Sequence, residues 1–245
     1  MTARSRRAAL AVSLCALALA APPALGQATA PAYGPEVPTA SRTWVGRLVA
    51  SVVVRSQPRD GAPRVMTVGP IAPLGKGITT LSIIDRRRDV TGRMWAKVLL
   101  PRRPNGSAGW LPADQMRLLA TPIRVRIDLS ERRLYVFRAG RLLRRYPVAV
   151  GALDTPTPTG RFAVAEMIRT NHPGAFLGPL VFPLTGFSRV LNEYAGGNGR
   201  VAIHGTSLPE LIGTRASHGC IRMRNADVVA LSRLLRPGAP VRIVP

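Results

Sequence analysis

From residue 44 onward the apolar residues of this chain come in short runs, and nearly every run is closed by a cluster of Gly, Pro, Asp or Asn. Pro58-Arg-Asp-Gly61 and Pro104-Asn-Gly106 are two such stops. An apolar run of roughly 4–8 residues bounded by turn signals is a strand, because a helix needs a longer uninterrupted stretch with apolar positions three and four apart. The punctuation predicts a mainly β chain in two parts. Residues 44–118 hold apolar runs at 48–54, 83–84, 95–100 and 109–111 and read as a small all-β module. A module of that size can only just build its own core, so it is expected to lean on its neighbour. Residues 119–122 read as a short joint. Beyond it Ile123, Val125, Ile127 and Leu129 alternate with Arg124, Arg126 and Asp128, the period of a half-buried strand. Turns near 130–133 and 139–140 carry the chain through runs at 134–137 and 142–150, a meander. Pro156 and Pro158 lack the amide a ladder needs, so 154–160 is a loop leading to a strand at 161–168. One helix is expected, capped by Asn225, with Val228, Leu231, Leu234 and Leu235 at helical spacing until Pro237-Gly238 stops it. A last strand follows at 241–244. Residues 123–245 thus read as a mostly-β domain with one short helix near the C-terminus.

The first residues set the compartment. Arg4, Arg6 and Arg7 precede an apolar run at 8–21, with small residues around Ala24 and Gly26, the pattern of a cleaved signal peptide over 1–26. Pro22 and Pro23 end the run short of the roughly 20 residues a membrane helix needs. Residues 27–43, rich in Ala, Pro, Thr and Ser without periodicity, read as a flexible linker. The mature chain is expected outside the cytoplasm, in a periplasm or cell wall. The formal charge is +23, and loss of the three arginines in the first 26 positions would leave +20. Export argues against nucleic acid as partner. Anionic wall polymers or lipid headgroups fit the compartment, and a plain solvated basic surface fits the charge equally well.

Loss of the signal also removes Cys15, leaving Cys220 as the one thiol. A lone cysteine in an oxidising compartment is an intermolecular bridge, an inert buried side chain or a reactive group. Its surroundings favour reactivity. Ala202-Ile-His-Gly205 is followed by Ser217-His-Gly-Cys-Ile-Arg-Met223. A thiol attacks only as thiolate, so it needs a base in hydrogen-bond reach, and His204 is a candidate. Gly219 would let backbone amides approach an oxyanion, and the carbonyl of Gly205 could orient the imidazole. The alternative chemistry is a zinc site on His204, His218 and Cys220. His172, in a Pro/Gly-rich loop, reads as a surface or lip residue. The glycine-rich stretch at 195–199 lacks the strand-to-helix setting of a phosphate loop and reads as a tight turn.

The His-Gly and Ser-His-Gly-Cys-Ile-Arg-Met pair resembles the signature of the L,D-transpeptidase, or YkuD-like, catalytic domain. Thr157-Pro-Thr-Gly-Arg-Phe162, Leu177-Gly-Pro179 and Gly238-Ala-Pro-Val-Arg-Ile243 resemble further elements of that family. The resemblance implies Cys220 as nucleophile on the tetrapeptide stems of peptidoglycan, and His204 as its base held by the Gly205 carbonyl. It also implies an oxyanion hole from amides around His218, Gly219 and Cys220, with Ser217, His218 and Arg222 lining the site. Arg222 would pair with a substrate carboxylate or hold the loop through a salt bridge. No cofactor is implied, D-alanine would leave, and the product would be a 3→3 cross-link. Carbapenem-type β-lactams would acylate the same thiol. The alternatives are an L,D-carboxypeptidase, with water as acceptor, and a non-catalytic wall-binding protein. In residues 44–118, the Val-Arg-Ser-x-Pro opening at Val54 and the closing Gly109-Trp-Leu resemble a bacterial SH3-like domain, implying a small barrel.

Overall fold

The computed structural model describes residues 38–39, 41–193 and 196–245. The signal-peptide reading of 1–26 and most of the linker reading lie outside these residues. Seven strands come first: β1 (Thr43–Leu48), β2 (Val52–Arg55), β3 (Arg64–Val68), β4 (Thr80–Arg88), β5 (Met94–Leu99), β6 (Ala108–Pro112) and β7 (Met116–Thr121). They form one antiparallel sheet in the order β3-β2-β6-β5-β4-β1-β7. Val54, Ile83, Val98 and Leu111 are fully buried in its core. The expected joint at 119–122 shrinks to Pro122, because β7 stays paired with β1 as far as Thr121 opposite Thr43.

The strands that follow are β8 (Ile123–Asp128), β9 (Arg133–Arg138), β10 (Arg141–Pro147), β11 (Val150–Gly151), β12 (Gly160–Ala163), β13 (Ile168–Arg169), β14 (Leu180–Phe187), β15 (Arg200–His204), β16 (Arg215–Ser217) and β17 (Ile221–Arg222). Helix α1 (Asn225–Ser232) and β18 (Pro240–Val244) complete the chain. The β8 to β10 meander matches the alternation, and β18 and β12 extend it into a sheet ordered β10-β9-β8-β18-β12. A second sheet, β13-β14-β15-β17, packs on it through Phe162, Phe182, Ile203 and Ile243 in one shared core. Two expected strands are shorter than their apolar runs. The run at 142–150 pairs in β10 only to Pro147, and the stretch at 161–168 divides at Val164, which bridges to Leu184 of the other sheet.

The helix also departs from expectation at both ends. Arg224, with extended backbone, is the cap, and Asn225 is the first helical residue. The Asn225 side chain turns back to another segment, as described below. At the other end α1 stops at Ser232, and Leu234 and Leu235 reach the core from a turn in which both amides bond to Leu231. Among the described residues no helix is long and apolar enough to cross a membrane.

The expectation that the first sheet leans on the rest is met by polar clasps. Glu166, nearly fully buried, accepts hydrogen bonds from the Leu74 and Gly75 amides at 3.1 and 2.6 Å. Asn105 bonds both backbone groups of Phe187, donating to its carbonyl at 2.7 Å and accepting from its amide at 2.8 Å. Arg103 donates to the carbonyls of Ser188 and Leu191.

Candidate active site

Two parallel strands build the centre. β15 sets Ile203 opposite Ile221 of β17 and His204 opposite Arg222. Ile203 and Ile221 are fully buried in the shared core. Side chains alternate along a strand, so Ala202, His204 and Arg222 occupy the other face. One residue before β17, the same alternation puts Cys220 on that face, opposite Ala202 and diagonal to His204. Diagonal neighbours on one face are within reach of a long side chain. The register therefore places Cys220 and His204, from two separate segments, on the same face.

His204 is almost fully buried, and its Nδ1 lies 2.6 Å from the Gly205 carbonyl oxygen. A carbonyl can only accept, so Nδ1 carries the ring proton and Nε2 keeps its lone pair. Burial, with a smaller push from the Arg222 charge and against the pull of the Gly205 carbonyl, lowers the pKa of His204 to about 4. The ring is neutral at neutral pH. Cys220 retains partial exposure, yet burial of its sulfur raises its pKa above the ordinary thiol value, against the opposing pull of the Ala202 backbone and the Arg222 charge. At rest the thiol and the imidazole are both neutral.

Packing explains why a glycine follows His204. A Cβ on Gly205 would strike Asn225 Oδ1 and come within 2.9 Å of Pro179. Asn225 Oδ1 accepts from the Thr206 amide at 2.8 Å, its Nδ2 donates to Pro173 at 3.4 Å, and Met223 N donates to the His204 carbonyl at 2.8 Å. The His-Gly dipeptide is thus gripped from the helix start on one side and from Gly178-Pro179 on the other. Sequence reading cast Asn225 as a helix cap and missed this role. The signal within reach was Leu177-Gly-Pro179, whose glycine sits at φ +64 with no space for a side chain.

The turn before Cys220 is built from its own side chains. Ser217, buried, donates its hydroxyl to the Cys220 carbonyl at 2.5 Å and accepts from the Gly219 amide at 3.2 Å. Gly219 has φ +108, a conformation that favours glycine. The Gly219 amide is therefore committed to Ser217. The loop over 154–160 closes over this turn. Thr157 Oγ1 accepts from Gly151 N at 2.8 Å, and the Thr155 and Pro156 carbonyls flank Gly219.

Arg222 is buried and exchanges two 2.9 Å backbone bonds with Ala149. Among the described residues it makes no ion pair. Its guanidinium lies over the Phe176 ring, 4.6 Å from the centroid, and Phe176 in turn sits 5.9 Å from the His204 ring. Nothing in the sequence pointed to Phe176. His218 and His172 are both exposed. Among the described residues no three His, Cys, Asp or Glu side chains gather as a metal-binding group. Two cavities of about 270 and 310 Å³ lie against the first sheet, and neither is lined by Cys220 or His204.

The family model described as the L,D-transpeptidase catalytic domain, YkuD, matches residues 122–243. A Bacillus licheniformis protein carrying the name L,D-transpeptidase YkuD is 32% identical over 160 residues, which cover 62% of this chain and 88% of that one. Its Bacillus subtilis namesake is 31% identical over 158 residues, covering 62% and 87%. Among solved structures, the catalytic domain of the E. faecium L,D-transpeptidase acylated by ertapenem is 23% identical, with a TM-score of 0.37, over 50% of this chain and 96% of that one. The chain belongs to the L,D-transpeptidase family, as an enzyme of the cysteine acyltransferase type.

Proposed function

We propose that Cys220 is the nucleophile and His204 its general base in cross-linking the peptide stems of peptidoglycan. Cys220 Sγ attacks the carbonyl of the third residue of a tetrapeptide stem while His204 Nε2 takes the thiol proton. The carbon–nitrogen bond to the terminal D-alanine breaks, and that proton leaves on the D-alanine amine. A thioester remains. The amine of a second stem then attacks it, His204 takes the amine proton, and the thiol is restored with a 3→3 cross-link formed. The observation that carries the reading is the parallel register of β15 and β17, with His204 Nδ1 fixed on the Gly205 carbonyl. Because the Gly219 amide is held by Ser217, we assign the oxyanion contact to the amide of Cys220 itself, with Gly219 shaping the approach. Ser217 braces the turn and His218 lines its exposed rim. Arg222 receives a substrate carboxylate, a role supported by its buried Nε having no hydrogen-bond partner.

The same thiol would open a carbapenem ring, breaking the lactam carbon–nitrogen bond and forming an acyl thioester. We place the protein outside the cytoplasm, reading 1–26 as its cleaved signal and 44–118 as an SH3-like domain that precedes the catalytic one. N-terminal sequencing of the exported protein tests the cleavage near Gly26.

The function is tested by incubating the protein, and a Cys220→Ala control, with tetrapeptide muropeptides and reading products by mass spectrometry. Loss of D-alanine with 3→3 dimers, absent in the control, is the expected result. Trimmed monomers without dimers would assign a carboxypeptidase. Untouched stems would favour a wall-binding protein, or a zinc site if metal analysis found the ion in stoichiometric amount.

A further inference from the structure

The five-stranded sheet carries a second feature that the cross-linking chemistry does not use. Its registers set Arg161 of β12 opposite Arg242 of β18, Arg242 opposite Arg126 of β8, Arg126 opposite Tyr135 of β9, and Tyr135 opposite Arg145 of β10. Residues in register on neighbouring strands point to the same face. Their sequence neighbours Phe162, Val241, Ile243, Val125, Ile127, Leu134 and Val136 fill the core on the other face. The result is a row of four arginines and a tyrosine running across all five strands. At the usual strand spacing of about 4.8 Å it is about 19 Å long.

All four arginines are exposed. Like charges directly opposite one another weaken a sheet, and Arg161, Arg242 and Arg126 are three in succession. Only Arg126 has a carboxylate, Asp128 at 2.6 Å. Among the described residues Arg145, Arg161 and Arg242 make no ion pair. One end of the row is recessed. Arg124, Arg161 and Arg242 line a cleft of about 310 Å³ whose other wall is Ser82, Ile83 and Ile84 of the first sheet. In that cleft Arg124 Nε is buried without a hydrogen-bond partner. A solvated basic face accounts for neither the registered alignment nor the unmet donor.

We propose that this row is a docking surface for a linear phosphodiester polymer of the cell wall, laid across the strands with one end in the cleft. Guanidinium forks match phosphate oxygens, and a row of arginines on one face suits a ligand with one negative charge per repeat. A flat lipid surface meets the open end at Arg145 but not the cleft that Arg124, Arg161 and Arg242 line, whereas a single extended strand meets both. The choice of a wall polymer rests on the proposed export of the chain.

The test measures binding of lipid-free poly(glycerol phosphate) to the protein at low and high salt. The variants are Arg145→Gln/Arg161→Gln/Arg242→Gln, which spares the Arg126–Asp128 pair, and a control with equal charge loss on the first sheet and its turns, Arg59→Gln/Arg88→Gln/Arg117→Gln. The row variant is expected to bind about 100-fold more weakly, the product of about fivefold for each arginine, and to lose most of the salt dependence. The control should bind like the parent. Equal weakening in both would assign the binding to net charge and overturn the proposal, as would absence of binding by the parent. Binding only to phosphatidylglycerol vesicles would overturn it in favour of a membrane surface. Cross-linking of soluble muropeptides is read in parallel and should be unchanged in the row variant. Polymer binding without any cross-linking by the parent would sink the enzymatic reading and leave this one standing.

Discussion

His204 and Cys220 are shifted in opposite senses, and each shift has a measurable consequence. Burial lowers the His204 pKa from an ordinary 6.5 to about 4, so the unfolded chain binds a proton that the folded chain refuses between those values. Stability must therefore fall as pH drops from about 6.5 to about 4, by about 3 kcal/mol from this group. Urea melts of the protein and of His204→Gln check this, because the variant's stability should be flatter across that window. The raised thiol works at the other end: the folded state holds its proton above the ordinary thiol range, so stability declines as pH rises beyond about 9. Alkylation of Cys220 by iodoacetamide should be slower than that of a free thiol at pH 8 and climb steadily above it. A rate plateau between pH 5 and 8 would instead mean a preformed thiolate–imidazolium pair. Asn225 gives the third test at this scale. It reaches Thr206 and packs on Gly205, whose carbonyl fixes the His204 tautomer. In Asn225→Ala the buried Thr206 amide loses its partner, at a cost of about 1–3 kcal/mol, and the carbonyl loses its backing. Turnover should fall about tenfold with KM nearly unchanged, since a positioning loss acts on the transition state. Asn225→Asp keeps the acceptor and adds a negative charge, so it should move the acid limb of the pH profile upward. An alanine variant with wild-type kcat would remove Asn225 from the mechanism.

Strand β14 is the clearest case of an element hidden in the sequence. All eight of its residues are buried, so it has no polar alternation to read, and Pro183 and Gly186 sit where a strand interior discourages them. The structure resolves both. The Pro183 carbonyl accepts from Ala165 N at 2.8 Å in a stretch where the β14–β15 register shifts, and the space at Gly186 is filled by the Phe162 ring. β8, with one face in the core and one in solvent, was legible because its alternation is the physical trace of that half-burial, and β9 was legible as an apolar run between turns. Helix α1 was legible through Val228 and Leu231, while its ends were not, since Asn225 was drawn to Thr206. At the site, Cys220 and His204 were legible from their glycine neighbours. Phe176 and Asn225 were not, because what gives them a part is contact across distant segments. The Gly186 packing predicts its own test. A Cβ there would lie 2.5 Å from a Phe162 ring carbon that has nowhere to move, so Gly186→Ala should cost about 1–3 kcal/mol. Adding Phe162→Leu should recover part of that loss, and a double-mutant cycle reads the coupling. Independent, additive effects would refute the contact.

At the scale of the whole molecule, the first sheet and the catalytic core are joined by groups that each sheet leaves unsatisfied by itself. Glu166 is the centre of this junction. Its carboxylate is 4% exposed, accepts two amides from the turn after β3, and lies 3.8 Å from the Arg200 guanidinium, which in turn donates to the Pro101 carbonyl at 3.3 Å. β15 begins at Arg200 and ends at His204, so the strand that carries His204 is anchored at its other end in the junction. Removing the carboxylate leaves two amides and a largely buried guanidinium without their partner. Glu166→Ala should therefore cost about 3 kcal/mol, a fall in Tm of about 6–12 °C for a chain of this size. Glu166→Gln keeps an oxygen for the amides and loses only the charge, so about 1 kcal/mol is expected. Because the site lies at the far end of β15, the damage should appear first as lost cooperativity between the two sheets and only then as lost activity. Hydrogen exchange separates the two. In Glu166→Ala the amides of Leu74 and Gly75 should exchange near the intrinsic rate while those of His204 and Met223 stay protected at low temperature. Thiol reactivity of Cys220 should then rise only as the variant approaches its lower melting point. If Leu74 and Gly75 kept their protection in the alanine variant, the clasp would be dispensable and the junction would rest on Asn105, Arg103 and Arg200.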